Sequence, residues 1–161
     1  QAAATIGDTA YVVGGFTGTH WLDTIVAWSP GRGARVVAHL PSPVRYAAVT
    51  SAGGNLFVAG GSLPSGTASA QVLEYSPAGH TLRRVGRLPA PTTHASAAEL
   101  GGIAYVIGGR GAALDTPTSR VVAIDPRTGR VHRAGHLRQP LSDASAVSLG
   151  KAILVAGGQG S

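Results

Sequence analysis

Six histidines, His20, His39, His80, His94, His132 and His136, are the side chains of this sequence best suited to acid–base or metal chemistry. None forms the i, i+4 pair of a zinc-binding helix, and none stands at metal-loop spacing from a carboxylate. With no cysteine, the chain has no thiol nucleophile, disulfide scaffold, zinc ribbon or iron–sulfur cluster. Ser142, His94 and Asp143 can be drawn as a nucleophilic triad, but no Gly-x-Ser-x-Gly elbow is present. Glycine pairs after apolar strands invite a phosphate-loop reading, yet that fingerprint needs a following helix, and no stretch has a helical period. The sequence therefore predicts no catalytic group, no metal and no cofactor.

What the pattern does specify is repetition. An apolar strand runs into a glycine pair at Gly14-Gly15, Gly60-Gly61, Gly108-Gly109 and Gly157-Gly158, the first glycines lying 46, 48 and 49 residues apart. Pro43, Pro91 and Pro140 each precede a pair by 17 residues. Strands at Ile25–Trp28, Val72–Tyr75 and Val121–Ile124 run into Ser-Pro or Asp-Pro, and Leu40, Leu88 and Leu137 close the units. In the second unit, strand A spans about Tyr46–Ser51, Gly53-Gly54 turns a tight hairpin, and Asn55–Ala59 returns as strand B. A polar loop, Gly61–Ser69, leads to strand C near Ala70–Tyr75, and Ser76–Gly79 turns into strand D near Thr81–Val85. Four meandering strands per unit describe a propeller blade. Small residues such as Ala47-Ala48 and Ala95–Ala98 suit inner strands crowded toward an axis. The glycine pairs are expected to be structural, where neighbouring backbone comes too close for a side chain.

These features resemble kelch repeats over essentially the whole chain: a glycine pair after an apolar strand, an aromatic about 14 residues later, a turn and a Leu-Pro close. Trp28 and Tyr75 match the family's strand-C aromatic, whereas Ile124 replaces it in the third unit. The family's strand-D Trp is replaced by Ala34, Leu82 and Val131. The resemblance implies an all-β kelch-like β-propeller segment, three four-stranded antiparallel blades plus a two-stranded half-blade. The expected blades are 1–40, 41–88 and 89–137, and the half-blade 138–161. Propellers have about four to eight blades, so the chain is expected to be a piece of a larger propeller, or else to close with a second copy.

Fourteen residues before the second, third and fourth glycine pairs stand Tyr46, His94 and Asp143, three different polar groups at one phase. The period of a strand places them at the channel mouth, as a ligand rim or as caps that simply meet water. Phe16, His20 and Trp21 of the first B–C loop (Phe16–Asp23), Arg45, and Arg110 and Asp115 of the third loop complete the expected rim. Trp21 is an aromatic of the kind that anchors partners. Net charge is +6, but Arg35, Arg83, Arg84, Arg130 and Arg133 fall on D strands as edge protection rather than in a nucleic-acid groove. No apolar run approaches the roughly 20 residues of a membrane span. By family analogy the module is a non-catalytic scaffold presenting rim loops to a protein or carbohydrate partner. The alternative is an inert part of a carbohydrate-active or oxidoreductase propeller whose active site lies in other blades. Lys151 as the only lysine, with abundant Ala and Gly, suggests a bacterial gene, and the expected compartment is extracellular or the cell envelope.

Overall fold

Alternation of small and apolar residues, interrupted by two-glycine turns, yields strands throughout. The structure, a computed structural model, describes residues 1–112 and 116–160, and among these there is no helix. The first sheet contains β1 (Ala2–Ile6), β2 (Thr9–Phe16), β3 (Trp21–Ser29) and β4 (Gly33–His39) in that order. The second contains β5 (Ala48–Ala52), β6 (Asn55–Ala59), β7 (Gln71–Ser76) and β8 (Thr81–Arg87). The third contains β9 (Ser96–Leu100), β10 (Ile103–Ile107), β11 (Arg120–Ile124) and β12 (Val131–His136). β13 (Ser142–Leu149) and β14 (Ala152–Gln159) pair as a two-stranded sheet. All pairings are antiparallel. Three blades and a half-blade are therefore present.

The local causes repeat with the sequence. Ala52 pairs with Asn55 across Gly53-Gly54, both glycines at positive φ (58° and 78°), as the hairpin turn whose twist matches the strands requires. Each complete blade has a register shift where its third strand meets its fourth, at Ile25/Val26, Val72/Leu73 and Val121/Val122. Such bulges deepen the strand twist at the outer edge.

The core lies between sheets rather than within any one. Tyr11, Val13 and Ile25 of the first blade pack on Leu56, Val58 and Tyr75 of the second. Phe57 and Val72 of the second pack on Val106, Val122 and Ile124 of the third. Each such side chain contributes about 1.5–3 kcal/mol by leaving water, so a blade is stable chiefly against its neighbour. Innermost strands β1, β5, β9 and β13 stand side by side, and their small residues line the channel.

Three expectations need correction. Strand A of the second blade begins at Ala48 and not at Tyr46, because Tyr46 has positive φ and cannot continue an extended chain. The first B–C loop shrinks to the turn around Thr17–His20, since Phe16 pairs with Trp21 and Gly15 with Leu22 at the end of the β2–β3 hairpin. Arg130 precedes β12, held in the turn where the Asp125 N–H donates to the Arg130 carbonyl (3.0 Å). Trp28 occupies the register of Tyr75 and Ile124, opposite Ala10, yet is 50% exposed because its face of the first sheet meets no other sheet.

Candidate functional site

The glycine pairs fix the site by fixing the seams between blades. A Cβ on Gly14, Gly60 or Gly108 would collide with the carbonyl oxygen of Val44, Thr92 or Leu141 in the next unit. The second glycine of each pair uses that same oxygen: Gly15, Gly61 and Gly109 donate their N–H to it at 2.7, 2.8 and 2.8 Å. Sequence reasoning identified the close approach but not the partner, a carbonyl about 30 residues downstream. The latch sets adjacent blade tops in contact, and two rows of side chains follow from it.

The inner row is Tyr46, His94 and Asp143. All three have left-handed backbone, φ 56°, 54° and 56°, and they are three of the four non-glycine residues with positive φ among the described residues. The His94 N–H donates to the Tyr46 carbonyl and the Asp143 N–H to the His94 carbonyl, each at 3.0 Å, so the row is a main-chain ladder from blade to blade. The Tyr46 ring stacks on His94, centroids 4.0 Å apart and planes at 22°. His94 Nε2 lies 4.0 Å from an Asp143 carboxylate oxygen. Glycine would adopt this backbone without cost, whereas an L side chain costs about 1–2 kcal/mol. Tyr46 in particular carries that cost in its backbone.

The outer row comes from two columns. Phe16, Ser62, Arg110 and Gln159 each follow the first glycine of a pair by two residues. The first three face, across the seams, Arg45, Thr93 and Ser142, which immediately precede the inner-row residues. At the second seam the Ser62 and Thr93 hydroxyls bond at 2.7 Å. At the third, Arg110 donates from Nε to Ser142 Oγ (3.0 Å) and from an Nη to Asp143 Oδ2 (2.8 Å) and Gln159 Oε1 (2.7 Å). At the first, the Arg45 guanidinium lies against three rings, 4.6 Å from Trp21, 5.0 Å from Tyr46 and 5.6 Å from Phe16.

Of the expected rim residues, Phe16, Trp21, Arg45, Tyr46, His94, Arg110 and Asp143 are thus brought into one continuous strip. His20 is not; it sits in the exposed turn with its ring bonded to the Thr19 hydroxyl at 2.8 Å. Asp115 lies outside the described residues. Ser62, Thr93, Ser142 and Gln159 complete the strip, and the phase counted from the glycine pairs could have found all four. Between the rows lies a cleft of about 230 Å³ walled by Trp21, Arg45, Tyr46, Ser62, His94 and Arg110.

The cleft's electrostatics follow from burial. His94 is only 13% exposed, and burial holds its pKa below the usual imidazole range, with Arg110 and Arg45 pushing the same way and Asp143 opposing. Ser142 Oγ donates to Asp143 Oδ2 (2.9 Å) and accepts from Arg110, so its proton faces a carboxylate rather than the His94 imidazole, and the three residues are not arranged as a nucleophilic triad. Among the described residues, no three His, Asp or Glu side chains gather as metal ligands do.

Comparison with known proteins agrees with this geometry. The kelch motif matches residues 91–137. The solved structure of YjhT is similar at a TM-score of 0.75 and 19% identity, over 92% of this chain and 53% of that one. The chain thus spans about half the length of YjhT. No curated protein matches the sequence. Three glycine-pair seams, a kelch motif in the third unit and the sheet arrangement shared with YjhT show that this chain has the β-propeller fold and carries a kelch motif over residues 91–137.

Proposed function

We propose that the chain is a non-catalytic recognition module in which rigid blades hold the channel-mouth strip against a protein partner. The observation that carries this reading is the Trp21–Arg45–Tyr46 stack. Trp, Tyr and Arg dominate the energetics of protein interfaces when clustered and partly desolvated, and here all three meet at one seam. The strained Tyr46 backbone supports it, since the fold alone would be served better by glycine. Kelch-type propellers suit binding or scaffold roles, because the blades are structural and the loops are free to vary.

A second reading is favoured by the size of the cleft. At about 230 Å³ it falls below the ~300–1,000 Å³ typical of drug-sized ligand pockets, and it would seat one sugar ring beside aromatic and hydroxyl groups. In that case the strip is one sector of a carbohydrate site whose remainder comes from other blades. Both readings are tested by screening the chain against a peptide array and a glycan array, with Trp21→Ala and Tyr46→Gly as controls. A ligand retained by Arg84→Ala, on the outer strand β8, but lost by both rim variants at unchanged melting temperature supports the strip as the binding surface. Ligands that ignore both rim variants overturn it.

A further inference from the structure

The outer strand of each complete blade carries positive charge and no negative charge. β4 holds Arg35 and His39, β8 holds Arg83, Arg84 and Arg87, and β12 holds His132, Arg133 and His136. All eight are exposed, and the three strands contain no Asp or Glu. Register aligns them from blade to blade. Arg35, Arg83 and His132 stand opposite Ala27, Glu74 and Ala123, one phase of the third strand. His39, Arg87 and His136 stand opposite Thr24, Gln71 and Arg120, again one phase, and Arg84 and Arg133 share a position between them. Inner strands stand side by side, so β4, β8 and β12 fan out along a convex perimeter, and the cations form rows that cross the blades.

Few of these charges are neutralised. Arg83 contacts Glu74, and His39 contacts Asp23 at 3.1 Å. Among the described residues, no carboxylate lies within ion-pair distance of Arg35, Arg84, Arg87 or Arg133. Edge protection accounts for charge on an outer strand, but not for a single sign held in register over three blades. A guanidinium fork pairs with an oxyanion through two parallel donors. Like charges in rows sum to a field that draws an extended polyanion.

The shape of the perimeter narrows which polyanion. β4, β8 and β12 contain no Phe, Tyr or Trp on which the bases of a single strand would stack. Duplex DNA, stiff over about 150 base pairs, touches a convex perimeter at few points, and a flat membrane meets it along one edge. A flexible chain of acidic sugars follows the curve. We infer that the perimeter is a second binding surface, separate from the channel-mouth strip, for a linear acidic polysaccharide that runs across the blades with its anionic groups on Arg35, Arg84, Arg87 and Arg133. Sulfate esters and uronate carboxylates share this recognition.

The test titrates labelled dextran sulfate and polygalacturonate of matched length into the intact chain. Neutral dextran, a single-stranded poly(dT) of equal charge and phosphatidylserine vesicles serve as comparisons. At least one acidic polysaccharide should bind, the tighter one identifying the anion, and neutral dextran should not. Affinity should fall steeply between about 50 and about 500 mM salt, because exposed charges are screened. Arg84→Gln and Arg133→Gln should each weaken binding about three- to fivefold, the span of exposed ion pairs. Lys151→Gln, which removes the same charge from the β13–β14 turn, and Tyr46→Gly should leave it unchanged. In the wild type, amide resonances that move on binding should lie on β4, β8 and β12. No binding of either acidic polysaccharide at about 50 mM salt would overturn the surface, as would equal losses in Lys151→Gln and Arg84→Gln, or shifts confined to the strip. Poly(dT) or vesicles that bind as tightly as the polysaccharide would overturn its identity as the partner. The strip is judged separately: array ligands that Arg84→Gln releases belong to the perimeter, and those it leaves bound test the rim.

Discussion

His94 carries the pH sensitivity of the strip. Burial favours its neutral ring, so as pH falls the unfolded chain takes up a proton on this residue before the folded one does. Its contribution to stability is therefore complete above the ordinary imidazole value of 6.5 and is lost as pH falls through 6.5 toward the lower folded value. Between about pH 7.5 and pH 5, the melting temperature of the wild type should drop further than that of His94→Asn, a side chain that tolerates the left-handed backbone. Equal drops would show that His94 is not buried in solution. Tyr46→Gly sets two opposing terms against each other: about 1–2 kcal/mol of backbone strain relieved and about 0.5–1.5 kcal/mol of ring stacking lost. Thermal melts should show little net change in stability, while partner binding is lost. At this scale the phase of Tyr46, His94 and Asp143 was legible from the glycine pairs. The ring contacts of Arg45, itself an expected rim residue, were not, because its column reads Arg, Thr, Ser, and only the fold places it against three aromatic rings.

Blades are coupled through main-chain latches, and the latch can be graded by glycine substitution. Gly60→Ala and Gly108→Ala would force a Cβ onto the Thr92 or Leu141 carbonyl and displace the neighbouring N–H bond. Each should cost more than about 3 kcal/mol in denaturant titration, at the extreme of single-substitution effects. Gly157 has similar backbone, φ 71°, but a Cβ there meets nothing. Gly157→Ala should cost only the left-handed penalty of about 1–2 kcal/mol, and a cost equal to that of Gly108→Ala would refute the latch. Phe57 of β6, fully buried against the third blade, tests the inter-sheet core. Phe57→Ala should cost about 3–5 kcal/mol. Strand order and hairpin turns were readable because glycine and proline punctuate them. The end of the first B–C loop was not, since no glycine or proline after Gly18 marks where the strand resumes before Asp23, and cross-strand pairing of Phe16 with Trp21 extends the hairpin instead.

At the scale of the molecule, burial between sheets leaves the outward faces of the terminal sheets uncovered. Trp28 is 50% exposed on the first sheet, and Leu154 is 53% exposed on the last. Leu154 stands at the phase of Tyr11 and Phe57, both buried against a following blade. Apolar faces of this kind associate in water. Light scattering of the isolated chain should therefore show a mass that rises with concentration, and Leu154→Lys should reduce the association without lowering the melting temperature. A monomer at all concentrations would show that these faces are too small to drive contact.

The seams are closed by peptide N–H and C=O groups, so blade spacing is indifferent to which side chains crown it. That separates two tasks that many binding proteins must solve with the same residues. On the proposed rim reading, exchanging Tyr46, His94 or Asp143 would re-letter the crown while the frame beneath keeps its pitch, a division that would let the strip take new ligands by substitution.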